Sequence, residues 1–295
     1  MNIAVIMTCF NRKQKTITCL QSLYFARNQS QFDLNLHLFL TDDKCTDGTA
    51  DAIKENFPSE KITILRGNGS LFWAGGMRLS WREAMIYSDN WDYYLLLNDD
   101  VELMENVFVE LFNAQKFNIS KFGKEGLVSG ITCAFDNPEK LTYGGVVLTN
   151  RFLAKGKPLM PIGVPQPCDR TNANILLVPK TVVDQVGIFY DGFIHGHADT
   201  DYSIMVRRKG FPVMLTAHFC GRCDNDHESR EVLAHKIIKM SLKERKDYFR
   251  HPLHSTSDYL CAIRRTAPIR LPFVWIGRML NLYLPKLYYF SKGIR

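Results

Sequence analysis

The chain has 295 residues, of which 46% are hydrophobic and 23% charged, with 19 Gly and 12 Pro. This composition is typical of a globular protein with a sizeable core and excludes collagen-like, low-complexity and disordered chains. No apolar run reaches the length of about 18 residues that spans a membrane. The first apolar run, residues 3–7, has no basic flank before it, so we expect a first strand, no signal peptide and a cytoplasmic location.

The net charge of +7 comes entirely from the C-terminal segment 259–295. This segment holds seven basic and seven aromatic residues and no Asp or Glu, whereas residues 1–258 hold 30 basic and 30 acidic residues. Basic side chains mixed with aromatic rings are typical of a membrane-surface anchor. A helix pair that packs on the core, with its cations in solvent, is the alternative. We expect no nucleic-acid partner, since residues 1–258 have no excess of basic residues that would enlarge a nucleic-acid-binding surface.

The N-terminal part alternates predicted strands and helices. Short apolar runs between polar turns predict strands at residues 3–7, 34–40, 61–65 and 93–97. Helices are predicted at residues 13–26, 47–57 and 77–87, the last after a glycine-rich loop at 67–76. This order predicts an α/β fold, with a mostly parallel sheet flanked by helices. Ligands of such sheets bind beyond the carboxyl ends of the strands.

The loop after the first strand, residues 8–12, contains no glycine, and no Walker A sequence occurs in the chain. Both dinucleotide-binding and P-loop folds need glycine-rich phosphate loops, so neither is expected. Carboxylates follow two strands instead, with Asp42 and Asp43 after the second and Asp99 and Asp100 after the fourth. Ordinary turns also use Asp, but two pairs at matching strand ends favour a hard divalent cation that shares phosphate oxygens and water.

Four segments in order, residues 3–12, 41–49, 67–76 and 97–101, resemble an inverting family 2 glycosyltransferase with the GT-A fold, of the bacterial rhamnosyltransferase-like branch. The resemblance runs to about residue 226. It implies a catalytic domain over residues 1–230, with a nucleotide-sugar-binding half at 1–125 and an acceptor half at 126–230. Residues 231–295 are then a helical, basic and aromatic C-terminal extension.

The resemblance implies that a nucleotide-sugar binds at the strand ends. The residues expected to bind it are Thr8, Phe10, Asn11, Arg12, Asp42, Asp43, Gly69, Trp73 and Asp99. Asp100 is the expected ligand of Mg²⁺ or Mn²⁺. Lys44 and Cys45 depart from the small Gly and Ser residues that are usual after the first Asp pair. Trp73 could instead cap the core.

The second half supplies the expected catalytic base. A strand is predicted at residues 174–178 and a short helix at 180–186. Further on, Asp199 and Asp201 match the two aspartates of the G-E-D-x-D element of the family, while Ala198 replaces its glutamate. This departure leaves Asp199 as the base that the resemblance implies. Asp201 could serve only the dipole of the following helix.

Residues 218–227 allow three interpretations. Relatives carry a His after the last strand that can complete the metal shell, and His227 is the first choice for it here and His218 the second. The C-x-x-C of Cys220 and Cys223 could form a zinc site with these His residues, although a second Cys pair is missing. A surface loop with reduced thiols is the third interpretation.

The predicted reaction is a single displacement at the anomeric carbon of dTDP-rhamnose or a UDP-sugar, and inversion is implied by the resemblance. The expected acceptor is a glycan or a lipid-linked sugar of bacterial surface polysaccharide synthesis, reached from the inner face of the membrane. A sugar-phosphate nucleotidyltransferase is one alternative, but it would need a glycine-rich basic loop after strand one. A non-catalytic nucleotide-sugar-binding membrane adaptor is the other, and it would tolerate replacement of Asp199.

Overall fold

A computed structural model describes residues 1–150, 153–225 and 228–294. The strands are β1 (Asn2–Cys9), β2 (Asn35–Asp42), β3 (Ile62–Arg66), β4 (Tyr93–Leu97), β5 (Glu102–Leu103), β6 (Leu127–Cys133), β7 (Leu141–Tyr143), β8 (Gly145–Asn150), β9 (Lys155–Pro158), β10 (Gln166–Pro167), β11 (Arg170–Thr171), β12 (Ile175–Pro179) and β13 (Val213–Arg222). The helices are α1 (Lys13–Gln29), α2 (Thr49–Asn56), α3 (Phe72–Tyr87), α4 (Val107–Phe122), α5 (Lys180–Val186), α6 (Ala198–Arg208), α7 (Arg230–Lys239), α8 (Leu242–Arg250), α9 (Thr256–Thr266), α10 (Leu271–Tyr283) and α11 (Pro285–Phe290).

The main sheet has ten strands, and its path is β10-β13-β6-β12-β4-β1-β2-β3. Strands β3, β2, β1 and β4 run parallel, as predicted, so their carboxyl ends meet at one edge. Strand β12 lies antiparallel between β4 and β6, and β13 is parallel to β6. A second, three-stranded antiparallel sheet of β11, β8 and β9, which the sequence did not predict, lies in the second half.

Helices cover both faces of the main sheet. Alternate side chains of β1 enter two different cores, with Ile3, Val5 and Met7 in one and Ala4 and Ile6 in the other. The first core is completed by helices α1, α2 and α4, and the second by α3, α5 and α6. Because both faces are buried, β1 is a continuous apolar run without polar alternation.

Helix α3 begins at Phe72, so the predicted start at residue 77 is wrong. Gly75 and Gly76, which were assigned to a loop, lie inside the helix. A Cβ atom at Gly76 would lie 2.1 Å from Thr8 Oγ1. The glycine therefore permits close packing of α3 on β1, and it does not mark a flexible loop.

The segment from Arg230 to Phe290 is helical, as predicted, and comprises α7 to α11. Helix α9 packs on α6, and α10 packs on α9 and α11. None of the helices in the described ranges is long and apolar enough to cross a membrane. The division into two domains near residue 230 stays a prediction.

Candidate functional site

Hydrogen bonds at Asn11 join the loop after β1 to the loop after β2. Asn11 Oδ1 accepts a hydrogen bond from the backbone N–H of Thr46 at 2.8 Å, and the N–H of Asn11 points to Cys45 Sγ at 3.2 Å. Asn11 adopts a left-handed conformation with φ of 51°, which Asn tolerates better than most residues. The two loops that the resemblance assigns to the nucleotide therefore form one continuous surface.

Asp43 holds the glycine-rich loop in place. Its carboxylate accepts hydrogen bonds from the backbone N–H groups of Gly69 at 2.8 Å, Leu71 at 2.9 Å and Phe72 at 3.2 Å. A Cβ atom at Gly67 would lie only 2.3 Å from Asp43 Oδ1. The carboxylate of Asp43 thus orders the start of α3, a role that the sequence did not indicate.

Three other residues predicted to bind the sugar donor differ in exposure. Asp42 is 1% exposed, and its carboxylate binds the Arg66 guanidinium at 3.0 Å. Thr8 is also buried, and its hydroxyl donates to the carbonyl of Thr41 at 3.2 Å. Phe10 is 53% exposed, so its ring is available to a ligand. Of these three, only Phe10 offers its side chain to solvent beside the strand ends.

Asp99 and Asp100 share one cation, the guanidinium of Arg12. Arg12 Nη1 lies 2.9 Å from Asp100 Oδ2 and 3.4 Å from Asp99 Oδ1. Burial raises the pKa of Asp99 to about 7; Arg12 opposes the shift and Asp100 adds to it. Thr16 also donates its hydroxyl to Asp99 at 3.4 Å. Of these residues, the resemblance implies that Arg12 and Asp99 bind the sugar donor and that Asp100 binds the metal.

The Asp99–Asp100 pair suits a divalent cation only if the other ligands of the cation are not protein side chains. Among the described residues, no group of three or more His, Cys, Asp or Glu side chains could hold a metal. Mg²⁺ at phosphate sites is usually bound by one or two carboxylates, together with substrate phosphates and water. The pair therefore suits a cation that arrives with a nucleotide, and does not form an all-protein cage.

The zinc interpretation of residues 218–227 finds no support in the described part of the chain. Cys220 Sγ lies 3.3 Å from Thr216 Oγ1, and Cys223 Sγ lies 3.7 Å from Asp100 Oδ1. His218 Nδ1 lies 2.9 Å from the Glu110 carboxylate. His227, the predicted metal ligand, lies outside the described residues. Its role stays a prediction.

Asp199 lies in the first turn of α6 and is half-buried. Its carboxylate accepts hydrogen bonds from the backbone N–H groups of Thr200 at 2.6 Å and Ala173 at 3.2 Å. Burial raises its pKa, and these hydrogen bonds oppose the shift. The next residue along from Ala173, Asn174, accepts a hydrogen bond from the N–H of Asn98 at 3.0 Å. Asn98 directly precedes Asp99, which is predicted to bind the sugar donor, and Asp100, the predicted metal ligand. Two hydrogen bonds at residues 173 and 174 therefore connect the predicted base to the loop after β4.

The position of Trp73 is compatible with both predicted roles, as a cap of the core and as a residue that binds the sugar donor. Its ring packs on Phe189, with 5.4 Å between ring centroids, at the edge of the second core. Its indole N–H donates to Asn98 Oδ1 at 2.8 Å, beside the Asp pair. The ring therefore caps the core and also borders the site.

The sequence reasoning missed Asp258, which organises the loop before α6. Asp258 Oδ2 accepts three backbone hydrogen bonds, from Ile194 at 3.1 Å, His195 at 2.8 Å and Gly196 at 3.2 Å. Asp258 is buried at the third position of α9, where Ser255 caps the helix. That local pattern predicts a helix start only, because the partners lie more than 60 residues away in sequence.

Asp201 also joins α6 to the C-terminal helices. Its buried carboxylate binds Arg265 Nε at 2.9 Å and 3.0 Å through its two oxygens. The prediction that Asp201 serves only the helix dipole missed this ion pair. Residues of α9 thus support both the loop and the helix that carry Asp199.

Comparisons with known proteins identify the fold. No protein-family model and no curated protein matches the sequence. Among solved structures, the mannosyltransferase PcManGT from Pyrobaculum calidifontis, in complex with GDP-Man and Mn²⁺, is similar with a TM-score of 0.50 and 13% identity. That similarity covers 99% of this chain and 83% of PcManGT. TarS 1–349 of S. aureus is similar with a TM-score of 0.54 and 10% identity, over 96% and 79% of the two chains.

The chain has the fold of these proteins. This confirms the predicted α/β class, with a mostly parallel sheet flanked by helices. At such low identity the similarity concerns the fold alone. The rhamnosyltransferase-like branch stays a prediction.

Proposed function

We propose that the protein is a metal-dependent, inverting glycosyltransferase with the GT-A fold, and that its sugar donor is a nucleoside-diphosphate sugar. The observation that carries this proposal is the pair of hydrogen bonds that links Asp199, through residues 173 and 174, to Asn98 beside the Asp99–Asp100 pair at the end of β4. The fold of a mannosyltransferase that binds GDP-Man and Mn²⁺ supports it. Of the sugar donors, dTDP-rhamnose or a UDP-sugar fits the resemblance of the motifs.

The nucleotide would occupy the surface formed by the loops after β1, β2 and β4. The exposed ring of Phe10 could stack on the base, and Arg12 could bind the diphosphate. Asp100 and Asp99 would hold Mg²⁺ or Mn²⁺. When bound, such a cation supplies positive charge that stabilises the diphosphate leaving group.

Asp199 would act as the general base. The acceptor hydroxyl gives its proton to the Asp199 carboxylate while its oxygen bonds to the anomeric carbon. The bond between that carbon and the diphosphate breaks on the opposite side, so the product is inverted. A raised pKa makes Asp199 a stronger base than an exposed carboxylate.

We also propose that the C-terminal helices contact the inner face of the membrane, at a lipid-linked or glycan acceptor. Large apolar side chains of α10 and α11 are exposed, among them Phe273, Trp275, Ile276 and Phe290. Exposed rings beside basic side chains are typical of a peripheral membrane surface. This arrangement supports the anchor interpretation over a fully packed helix pair.

Thermal unfolding with dTDP, UDP, GDP and CDP, each with and without Mn²⁺, tests the site. A nucleotide at 100 times its Kd should add about 2.7 kcal/mol of stability. We expect one nucleotide to raise the melting temperature in a Mn²⁺-dependent manner, and Asp100→Ala to abolish that dependence. Asp89→Ala, which removes an exposed carboxylate before β4, is the matched control and should behave as wild type. Absence of any shift would refute the assignment of the sugar-donor site.

A further inference from the structure

A large cavity lies beside the contact between α6 and the C-terminal helices. It consists of two adjoining parts of about 840 and 640 Å³, which share Leu153, Tyr259 and Arg270 in their walls. The first part also borders α6 and the small sheet, and the second borders α7, α10 and α11. None of the residues proposed above to bind the sugar donor is among the described residues that line this cavity.

The walls of this cavity carry a strong excess of positive charge. Of the described residues, seven with basic side chains line the two parts, against two with acidic ones. Both acidic side chains have basic partners, because Asp169 binds Arg207 at 2.8 Å and Asp201 binds Arg265 at 2.9 Å. Arg208 donates to the backbone carbonyl of Arg265 at 2.8 Å.

Among the residues that the structure describes, several cations of the cavity have no anionic partner. Within the ranges that the structure describes, Arg170, Arg230 and Arg270 form no ion pair, and neither does Arg278. The guanidinium of Arg278 is half-buried and lies 4.4 Å from the centre of the Tyr259 ring. Burial lowers the pKa of Arg278. Removal of a cation from water without an anion is unfavourable, so a bound anion would stabilise this arrangement.

Apolar side chains complete the walls. Ile204 and Ile263 line the first part, and Leu233 and Val274 line the second. A small inorganic anion gains no binding energy from apolar walls, whereas a phosphate ester of an apolar alcohol would bury its chain against them. The exposed apolar face of α10 continues from the second part, since Phe273 lines the cavity and is 68% exposed.

The cavity also reaches the loop that carries the proposed base. His197 and Thr200, on either side of Asp199 in the chain, line the first part. The rings of His197 and Tyr259 lie 5.3 Å apart, and Tyr259 contacts Arg278 in turn. Basic side chains of the extension and the first turn of α6 thus form one continuous wall.

We propose that this cavity binds the phosphate or diphosphate group of an amphipathic acceptor, in which that group links a sugar to an apolar alcohol, and that a hydroxyl of the sugar is presented to Asp199. The proposal rests on the glycosyltransferase function proposed above and names its acceptor class as a sugar joined through phosphate to an apolar alcohol. Arginine is suited to this role because its planar guanidinium pairs with phosphate through two hydrogen bonds. The apolar chain of the acceptor lies along the second part of the cavity and leaves it at α10.

Binding of farnesyl diphosphate to the full chain tests the proposal, with the nucleotide site saturated by a nucleoside diphosphate and Mn²⁺. Arg170→Gln and Arg270→Gln remove half-exposed side chains that form no ion pair among the described residues, so both variants should fold. We expect about tenfold weaker binding for each, the change that about 1.4 kcal/mol produces. Lys243→Gln, an exposed cation of α8 that does not line the cavity, should bind as wild type.

Three outcomes would overturn the proposal. In the first, the arginine variants bind farnesyl diphosphate as tightly as Lys243→Gln does. In the second, inorganic diphosphate binds as tightly as farnesyl diphosphate. In the third, phosphatidylglycerol vesicles displace farnesyl diphosphate and the arginine variants lose vesicle binding, which would assign the cavity to a lipid headgroup.

The nucleotide-dependent thermal shift separates this proposal from the function on which it rests. If the shift is present in all variants while farnesyl diphosphate fails to bind, only the acceptor site is refuted. If farnesyl diphosphate binds while no nucleotide gives a shift, the cavity stands as a phosphate-ester site and the proposed function is refuted.

Discussion

Replacement of Asp258 by Ala should loosen the loop before α6 and reduce both stability and turnover. The carboxylate accepts three backbone hydrogen bonds from residues 194–196, and it is buried. A hydrogen bond to a charged group contributes about 1.5–3 kcal/mol. Because the loop can expose part of its N–H groups to water, we expect a loss of about 3 kcal/mol and not the full sum. For a chain of 295 residues, the corresponding fall in melting temperature is about 5 °C.

Turnover should fall more than binding of the sugar donor does. Residues 194–196 lead directly into α6, so their displacement moves Asp199 relative to the acceptor. A misplacement of about 1 Å can cost roughly 100-fold in rate. We therefore expect Asp258→Ala to lower kcat about 100-fold, with a small change in KM for the sugar donor. Asp258→Asn keeps one carbonyl acceptor and should lose about half as much stability and recover part of kcat.

Thermal unfolding and initial-rate kinetics of wild type, Asp258→Ala, Asp258→Asn and Asp247→Ala provide the test. Asp247 is an exposed carboxylate of α8, and its replacement controls for the loss of one negative charge in the same segment. If Asp258→Ala melts at the same temperature as Asp247→Ala, the three hydrogen bonds do not stabilise the loop and the reasoning is refuted. Equal kcat values for these two variants would refute the positioning role.

Three further predictions concern the base, a thiol and the membrane surface. The Asp199 carboxylate must be unprotonated to act as a base, and burial raises its pKa above the ordinary value of 3.8. Activity should therefore fall on acidification at a pH above 3.8. A pH–rate profile without an acidic limb there would contradict this role. A hydrogen bond from Cys9 lowers the pKa of the half-exposed Cys45, whereas the pKa of the half-exposed Cys261 is raised by burial. Mass-spectrometric mapping of iodoacetamide labelling should find Cys45 modified first, with protection by the bound nucleotide, and faster labelling of Cys261 would contradict the assignment. Trp275→Ser should weaken co-sedimentation with anionic vesicles about tenfold without a change in nucleotide-dependent melting, and unchanged co-sedimentation would exclude α10 from the membrane contact.

The local sequence pattern was sufficient to predict an element where that element is determined by residues close to it in the chain. Strand β1 was predicted because a short apolar run bounded by polar turns is typical of a buried strand. The start of α3 was placed five residues too late because Gly75 and Gly76 were assigned to a loop. The contact of Gly76 with Thr8 explains these helical glycines, but it joins residues far apart in sequence.

The sequence by itself determined the alternation of strands and helices, and it placed carboxylates after β2 and β4, because hydrophobic periodicity and turn chemistry are local properties. Only the tertiary structure decided what those carboxylates contact. Asp43 orders the glycine-rich loop, whereas Asp99 and Asp100 converge on Arg12. The role of Asp258 depends on a loop more than 60 residues away, since a buried carboxylate takes whichever N–H groups the packing of the helices brings to it.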